Sequence, residues 1–487
     1  MKGAIAAGHP LTAEAGARVL EAGGNAIDAC VAAAFVSWIA EAPLTGPGGG
    51  GFMLVHSGDR TRVLDFFVAV PAGGPHPDSA PMEAVDVVFE GSEAQVFLIG
   101  AASVAVPGTV AGLEAAHRQF GSLPWAELCA PAVELARRGV ELTEPQAYLH
   151  AILDAILRHA PEGRTVFGGE RAHVLGELFA QPALADTLER IGANGAAEIY
   201  GGETGRAIVS HVRARGGLLS LRDLDEYRVI RRRPVAAHFR GHEFRSNPPP
   251  SSGGVLIAYG LRLLESRDGP PGSAEAMSAI AEAMRAQTAA RADRFVSALH
   301  RGGLAKRLLS GTTHISVVDA RGDAASLSSS LGSGSGVVVP GTGVHLNNML
   351  GEPDLVGGAR PAARLTSMMA PSIVLCDERP RLVVGSAGSA RLRGAIMQTV
   401  VNVLRHGLDV ASAIEAPRVH LEEELLHCEG GADAAELDRL EELGWELVRW
   451  QRRNLFFGGV SAVELLPDGS LAAAGDPRRG GHGVVVE

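Results

Sequence analysis

The chain has few of the features that tie a protein to a nucleic acid or a membrane. Its 487 residues include 44 Lys and Arg against 55 Asp and Glu, a formal net charge of -11. Binding to a phosphate backbone or to an anionic membrane surface needs clustered positive charge, so this balance argues against both. No uninterrupted run of about 20 apolar residues, the length that spans a bilayer, is present. We therefore predict neither a nucleic-acid partner nor a membrane partner.

Cysteine is also scarce. The four cysteines are Cys30, Cys129, Cys376 and Cys428. They lie far apart, and no pair has zinc-finger or redox-motif spacing. This indicates free thiols in a reducing compartment. The apolar run at the N-terminus is too short for the core of a signal peptide, so we expect a cytoplasmic protein. The sequence predicts no metal site and no cofactor.

The chain is rich in apolar residues, and these recur with the spacing of helices in some segments and of strands in others. Hydrophobic residues make up 46% of it, enough for a large core. Helical spacing or strand-like alternation recurs along the chain without an internal repeat. Helices are predicted over 12–40 (broken at 23–25), 274–298 and 392–406, and strands over 52–55, 63–66, 313–318, 324–330, 337–339, 372–375 and 382–384. Alternating groups of helices and strands favour a layered α+β fold.

Three motifs that could indicate other chemistry fail on their context. Residues 46–51 contain G-x-G-x-x-G, but no clear strand precedes them and a strand follows, unlike a dinucleotide-binding turn. Residues 332–336 have Gly334 at the centre, where a serine-hydrolase elbow has Ser. His420 and His427 lack metalloprotease spacing, and we expect a charged helix or loop there.

The segment 311–319 places a small residue before a hydroxyl residue at the start of a predicted strand. Alone it is typical of an ordinary turn and strand, but other segments point the same way. Eight segments of the chain resemble, in the same order, motifs of the γ-glutamyltranspeptidase family. These segments are residues 23–29, 48–54, 106–112, 248–254, 312–319, 346–348, 367–371 and 385–389. Several motifs in register over nearly the whole chain are more specific than any one of them.

The resemblance implies the N-terminal-nucleophile fold, a four-layer αββα sandwich. It also implies a precursor that cuts itself between Gly311 and Thr312. The large subunit would be residues 1–311 and the small subunit 312–487. The two subunits of the same precursor would remain associated as one globular unit that acts on a small-molecule substrate.

The same resemblance makes Thr312 the nucleophile. A Thr hydroxyl needs a base, and cleavage frees the α-amine of Thr312, whose reference pKa is about 7.7–8.0. That amine can take the hydroxyl proton directly or through water. The resemblance places the oxyanion-binding N–H groups on Gly388 and Ser389, and a supporting hydroxyl on Ser330. Thr313 either helps to orient Thr312 or is a simple strand residue.

The substrate-binding positions depart from the family pattern. Phe67 stands where glutathione-cleaving members have an Arg that pairs with the glutamyl carboxylate, so a charged bidentate hydrogen bond is lost. Gly332 and Met349 replace an Asn and a Gln, and Met368 replaces one of two carboxylate-binding serines. The full set of candidate substrate-binding residues is Phe67, Gly332, Asn348, Met349, Glu352 (in place of the acidic group), Ser367 (retained) and Met368. We expect that an ordinary γ-glutamyl group is not preferred.

The predicted function is therefore a self-processing threonine hydrolase. It would cleave an acyl or carbonyl compound through a covalent Thr312 intermediate, in specialised metabolism such as antibiotic biosynthesis. Amide cleavage and C–C cleavage both remain open at this point. Two alternatives also remain: a true γ-glutamyltransferase or glutathione hydrolase, and a non-catalytic binding protein that retains the fold.

Overall fold

A computed structural model describes residues 1–74, 79–88, 94–290, 311–352, 355, 360–388 and 391–487. The helices lie before, between and after the main groups of strands. They are α1 (Pro10–Glu21), α2 (Ala26–Ala40), α3 (Thr109–Phe120), α4 (Trp125–Arg138), α5 (Glu144–Ile152), α6 (Asp154–Leu157), α7 (Pro161–Phe167), α8 (Pro182–Asn194), α9 (Ala197–Tyr200), α10 (Glu203–Ala214), α11 (Leu221–Asp225), α12 (Gly253–Leu264), α13 (Ala274–Ala290), α14 (Leu392–Leu404), α15 (Val410–Glu415) and α16 (Ala434–Glu442).

The strands are mostly short, and the longest are those next to Thr312. They are β1 (Gly3–Ala7), β2 (Gly50–Ser57), β3 (Arg60–Phe66), β4 (Glu83–Val88), β5 (Ala94–Ile99), β6 (Val140–Glu141), β7 (Leu178–Phe179), β8 (Ile230–Arg232), β9 (Val235–Phe239), β10 (His242–Ser246), β11 (Gly311–Asp319), β12 (Ala324–Gly332), β13 (Val338–Val339), β14 (Val344–His345), β15 (Ser372–Cys376), β16 (Arg379–Ala387), β17 (Val419–Glu422), β18 (Leu425–Cys428), β19 (Glu446–Arg449), β20 (Gly459–Leu465), β21 (Leu471–Gly475) and β22 (His482–Val486).

Two sheets form the centre of the molecule. One has seven strands in the order β22-β1-β11-β12-β2-β3-β8, and the other has six in the order β21-β20-β16-β15-β10-β9. Neighbouring strands within each are antiparallel. Both sheets combine strands from before and after residue 311, so neither part of the chain completes a sheet alone.

Two apolar cores separate these layers. One lies between the seven-stranded sheet and α1 to α4, and contains Ile315 and Val317 of β11. The other fills the space between the two sheets and continues to α12, α13 and α14 beyond the six-stranded sheet. The order helices, sheet, sheet, helices is the predicted αββα sandwich.

Helix α2 is central to the site because it ends directly below β11. It begins at a capping box in which Asn25 accepts from the Asp28 N–H while Asp28 accepts from the Asn25 N–H. Gly23, with φ +88°, makes the turn from α1. All of α2 is buried, as expected for a helix that is apolar all round.

Most predicted elements are confirmed, including the helix pair before residue 41 and the strands around residues 311–332. The described part of the predicted 274–298 helix is α13; residues 291–298 lie outside the described residues. The expected helix or loop at His420 and His427 is wrong, because β17 and β18 form a hairpin that pairs these two residues. All four cysteines are free. Within the described ranges, no helix is long and apolar enough to span a bilayer, and no cluster of potential metal ligands is found.

Candidate active site

Strand β11 starts with the predicted cleavage site. Gly311 pairs with Gly332 of β12 and Thr313 pairs with Ser329, with an irregularity in the register between them. Side chains alternate along a strand, so Thr313 points to the helical layer that also receives Ile315. Thr312 therefore faces the space between the sheets, where it is only 2% exposed.

Ser330 lies at the peptide bond that precedes Thr312. Its hydroxyl donates a hydrogen bond to the carbonyl oxygen of Gly311 and accepts one from the Gly332 N–H at 2.8 Å. A donor on this carbonyl polarises it toward attack and can stabilise the oxyanion that attack would produce. The predicted supporting hydroxyl is thus beside the predicted scissile bond.

Thr313 is held by a carboxyl group that was not predicted from the sequence. Its hydroxyl donates to Glu41 Oε2 at 2.5 Å, and Thr12 donates to Oε1 at 2.9 Å. Burial raises the pKa of Glu41 to about 7, and the two hydroxyl groups and the charge of Arg479 limit the rise. An acid at the end of the otherwise apolar segment 29–42 was the available sequence signal.

Gly388 occupies a position where only glycine fits. Its φ is +126°, and a Cβ atom there would lie 2.9 Å from the Cα of Gly458. The preceding residue, Ala387, lines the same cavity as Thr312. Gly388 therefore directly follows a residue of the Thr312 cavity wall, while Ser389 lies outside the described residues.

The cavity at Thr312 is narrow, with room for about one water molecule at 10 Å³. Glu41, Gln146, His314 and Arg479 contribute to its wall. Burial lowers the pKa of His314 to about 3, which makes it a neutral ring. Its nitrogens pair with the Ser328 and Ser316 hydroxyls, at 2.8 and 3.0 Å, between the sheets. The imidazole is thus a structural group and not a charged partner of Thr312.

Three predicted substrate-binding residues meet next to Ser330. Gly332 has φ +74°, and a Cβ atom there would lie 2.1 Å from Oδ1 of Asn348 and 2.6 Å from Oε1 of Glu352. Asn348 accepts from the Ser333 N–H at 2.9 Å and donates to the Ser333 hydroxyl at 2.6 Å. This corner therefore has no room for the larger amide side chain that the family carries at position 332.

The other predicted substrate-binding residues are packed in an apolar core or form hydrogen bonds within their own loop. Phe67, Met349 and Met368 belong to the core between the sheets, and the Phe67 ring stacks on Phe52 with centroids 5.3 Å apart. The Ser367 hydroxyl accepts from the Met369 N–H at 3.1 Å. A buried cation, Arg364, lies at the Phe67 backbone, where it donates to the Phe67 carbonyl oxygen and pairs with Asp65 at 3.4 Å.

Comparison with known proteins finds relatives in sequence and in fold. The family model described as gamma-glutamyltranspeptidase matches residues 12–309 and 296–486. The glutathione hydrolase proenzyme of Pseudomonas aeruginosa is 32% identical, with 100% of this chain and 95% of the relative covered. The acylase ACY 1 proenzyme of Pseudomonas sp. (strain SE83) is 31% identical, covering 100% and 94%. The crystal structure of cephalosporin acylase from Bacillus halodurans superposes with a TM-score of 0.84 at 23% identity, covering 100% and 96%, and shows the shared fold.

Fold and neighbours define an N-terminal-nucleophile hydrolase. Within that class, the chain belongs to the γ-glutamyltranspeptidase family and is an enzyme of the hydrolase and transferase type.

Proposed function

We propose that this chain is a self-processing hydrolase whose nucleophile is Thr312. The observation that carries the proposal is the hydrogen bond from Ser330 to the Gly311 carbonyl, because it supplies a donor to the carbonyl of the bond that we propose is cut. In the first reaction, the Thr312 hydroxyl oxygen attacks the Gly311 carbonyl carbon, and Ser330 stabilises the oxyanion. Expulsion of the Thr312 nitrogen leaves an ester, which water hydrolyses to a Gly311 carboxylate and a free Thr312 α-amine.

In the second reaction, the free amine takes the Thr312 hydroxyl proton while the oxygen attacks a substrate carbonyl carbon. Backbone N–H groups at Gly388 and Ser389 bind the new oxyanion. The leaving group departs with a proton, and water then hydrolyses the Thr312 ester. Glu41 acts through Thr313 as a positioning residue for this strand end.

The two products of self-cleavage, residues 1–311 and 312–487, would remain together. Strands β11 and β12 of the small subunit lie between β1 and β2 of the large subunit. Separation would expose both cores, and the hydrophobic effect opposes this strongly.

The substrate we propose is an acyl compound with a less polar acyl group than γ-glutamyl. Phe67, Met349 and Met368 are apolar where an amino-acid clamp would need a charged or polar side chain, and Gly332 has no space for an amide side chain. The similarity to the ACY 1 acylase favours an amide bond over a C–C bond. A place in specialised metabolism follows from this change of substrate.

The test is denaturing electrophoresis with intact-mass measurement of the purified protein. We expect two fragments that meet between Gly311 and Thr312. The Thr312→Ala variant should stay uncut, Thr312→Ser should cut more slowly, and the control Thr165→Ala, on the exposed face of α7, should cut normally. A wild-type chain that stays whole and has no Thr312-dependent reaction would identify a binding protein instead.

A second assay tests the substrate class. Turnover of γ-glutamyl-p-nitroanilide should be at least about 100-fold below that of a glutathione-cleaving relative, because the charged clamp is missing. Comparable turnover would establish a true γ-glutamyl enzyme and overturn the proposed acyl preference.

A further inference from the structure

Arg479 lies at the wall of the Thr312 cavity without a counterion. Among the residues that the structure describes, no carboxylate forms an ion pair with it, and its buried Nε has no hydrogen-bond partner. Gln146, 2% exposed on the same wall, has an unpartnered Oε1. Buried polar groups are normally satisfied, so two unpaired groups on one wall indicate a site that is completed by a ligand.

The nearby acids are already committed to other partners. Asp476 binds Arg418 at 2.7 Å and Arg478 at 3.1 Å. Glu41 accepts from two threonine hydroxyls instead of from Arg479. Burial lowers the pKa of Arg479 to about 10, so its guanidinium remains charged at neutral pH. Asp476 and Glu41 act on the Arg479 charge through space, but among the described residues neither forms a direct ion pair with it.

The fold holds Arg479 toward the reaction centre. Its aliphatic stem covers Gly459, where a Cβ atom would lie 2.3 Å from its Cδ. One terminal nitrogen is 3.6 Å from the position that a Cβ atom on Gly388 would occupy. The side chain is half-buried, which leaves part of it open to a ligand.

Arg479 and the apolar residues around Phe67 lie on different sides of β11. In the seven-stranded sheet, β12, β2 and β3 lie on one side of β11. Gly332 is the last residue of β12, and Phe67 directly follows β3. Arg479 comes from the turn between β21 and β22, and β22 is on the other side of β11, beyond β1. The acyl group and the leaving group of a substrate also extend in opposite directions from the attacked carbonyl carbon.

We propose that Arg479 binds a carboxylate on the leaving group of the substrate. The inference rests on the proposed Thr312 chemistry and narrows the substrate to an acyl compound whose released half is an anion, such as an amino acid. A guanidinium is suited to this because it binds a carboxylate through two parallel charged hydrogen bonds. The negative leaving group would supply the counterion that the described residues lack.

The experiment compares two small ligands that differ only in this charge, 5-amino-2-nitrobenzoate and 5-amino-2-nitrobenzamide. Their binding to the purified full chain is measured by isothermal titration calorimetry near neutral pH. We expect the acid to bind the wild type about tenfold or more tightly than the amide. Arg479→Gln should remove this preference, and Arg479→Lys should keep part of it. The control Arg267→Gln, an exposed arginine paired with Glu282, should behave as the wild type.

Equal binding of acid and amide to the wild type, or no saturable binding of the acid, would overturn the proposal. So would a preference that survives in Arg479→Gln. If that variant does not fold, the wild-type ratio and the Arg479→Lys variant still decide the question. A wild type that binds the acid but is never cut would contradict the Thr312 proposal alone, so the two failures are distinguishable.

Discussion

The two sides of β11 differ in chemistry. Toward β12, the surroundings of Thr312 are small hydroxyl groups and glycines, followed by an apolar core at Phe67. Toward β1, they include a buried carboxyl group, Glu41, and an unpaired guanidinium, Arg479. If the proposed function is right, the difference teaches that the cleavage chemistry and the recognition of the substrate depend on separate elements, so recognition can change while the reaction centre stays.

The strongest test of the apolar side is Phe67→Arg, which restores the charge of the family clamp. We expect it to lower the free energy of unfolding by about 4 kcal/mol, because it buries a cation with no partner in a packed core. Urea unfolding followed by circular dichroism in the uncut Thr312→Ala background measures this. Phe67→Leu, as control, should cost about 1 kcal/mol. An Arg variant of wild-type stability that gains γ-glutamyl-p-nitroanilide turnover would show that the pocket is still a glutamyl clamp.

The charged side is tested through the pH dependence of stability. Burial raises the pKa of Glu41 to about 7 in the folded protein, against the ordinary value of 4.5 for a glutamate side chain, so the folded state binds the proton more tightly. Its contribution is fully present below pH 4.5, is lost as the pH rises to 7, and stays lost above that value. The size is on the order of 3 kcal/mol.

Glu41→Gln should flatten this dependence, again in the Thr312→Ala background and measured by urea unfolding at a series of pH values. Glu14→Gln, an exposed acid on α1, should leave the dependence unchanged. Parallel curves for Glu41→Gln and the wild type would show that Glu41 ionises like a surface acid.

The hydroxyl side is tested by comparing two adjacent serines. Ser330→Ala removes the donor to the Gly311 carbonyl and should slow self-cleavage about 100-fold. Ser329→Ala removes a hydroxyl that pairs with Thr45 at 2.9 Å on the opposite face of β12 and should change the rate little. A time course of fragment formation on denaturing gels gives both rates. Equal rates for the two variants would remove Ser330 from the cleavage step.

The smallest expected effect is a change in stability that tests why position 332 is a glycine. Gly332 and Gly322 both have positive φ, +74° and +81°, but only Gly332 has atoms within contact of an added Cβ. Both substitutions to Ala should cost about 1 kcal/mol in backbone energy. Gly332→Ala should cost about 1–3 kcal/mol more because of overlap with Asn348 and Glu352. Equal losses in urea unfolding would show that Asn348 and Glu352 move freely.

Much of the fold was predictable because it depends on local patterns. The break at residues 23–25, the strands on both sides of the turn at 320–323, and the helix after residue 391 follow from periodicity and turn residues. The hairpin at His420 and His427 was not, because its two strands have only four residues each and the acidic residues 422–424 at their turn give no clear period of two. The family motifs predicted Ser330 as a support for the Thr312 hydroxyl, and the structure shows its hydroxyl bonded to the Gly311 carbonyl.

Glu41 and Arg479 were not predictable as a pair around Thr312. They are more than 400 positions apart, and each alone is an ordinary charged residue at the end of an element. Only the packing of α2 beneath β11, and of the β21–β22 turn against Gly459, brings them to one cavity.

By itself, the sequence determined the family and the layered fold, and it predicted the candidate nucleophile and a changed glutamyl clamp. These depend on contiguous motifs and on local propensity, which are present in the order of the residues. The tertiary structure decided which charges surround Thr312 and which of them are paired. Pairing depends on distances between residues remote in the chain and on burial, which makes an uncompensated charge costly, and neither exists before the sheets and helices pack.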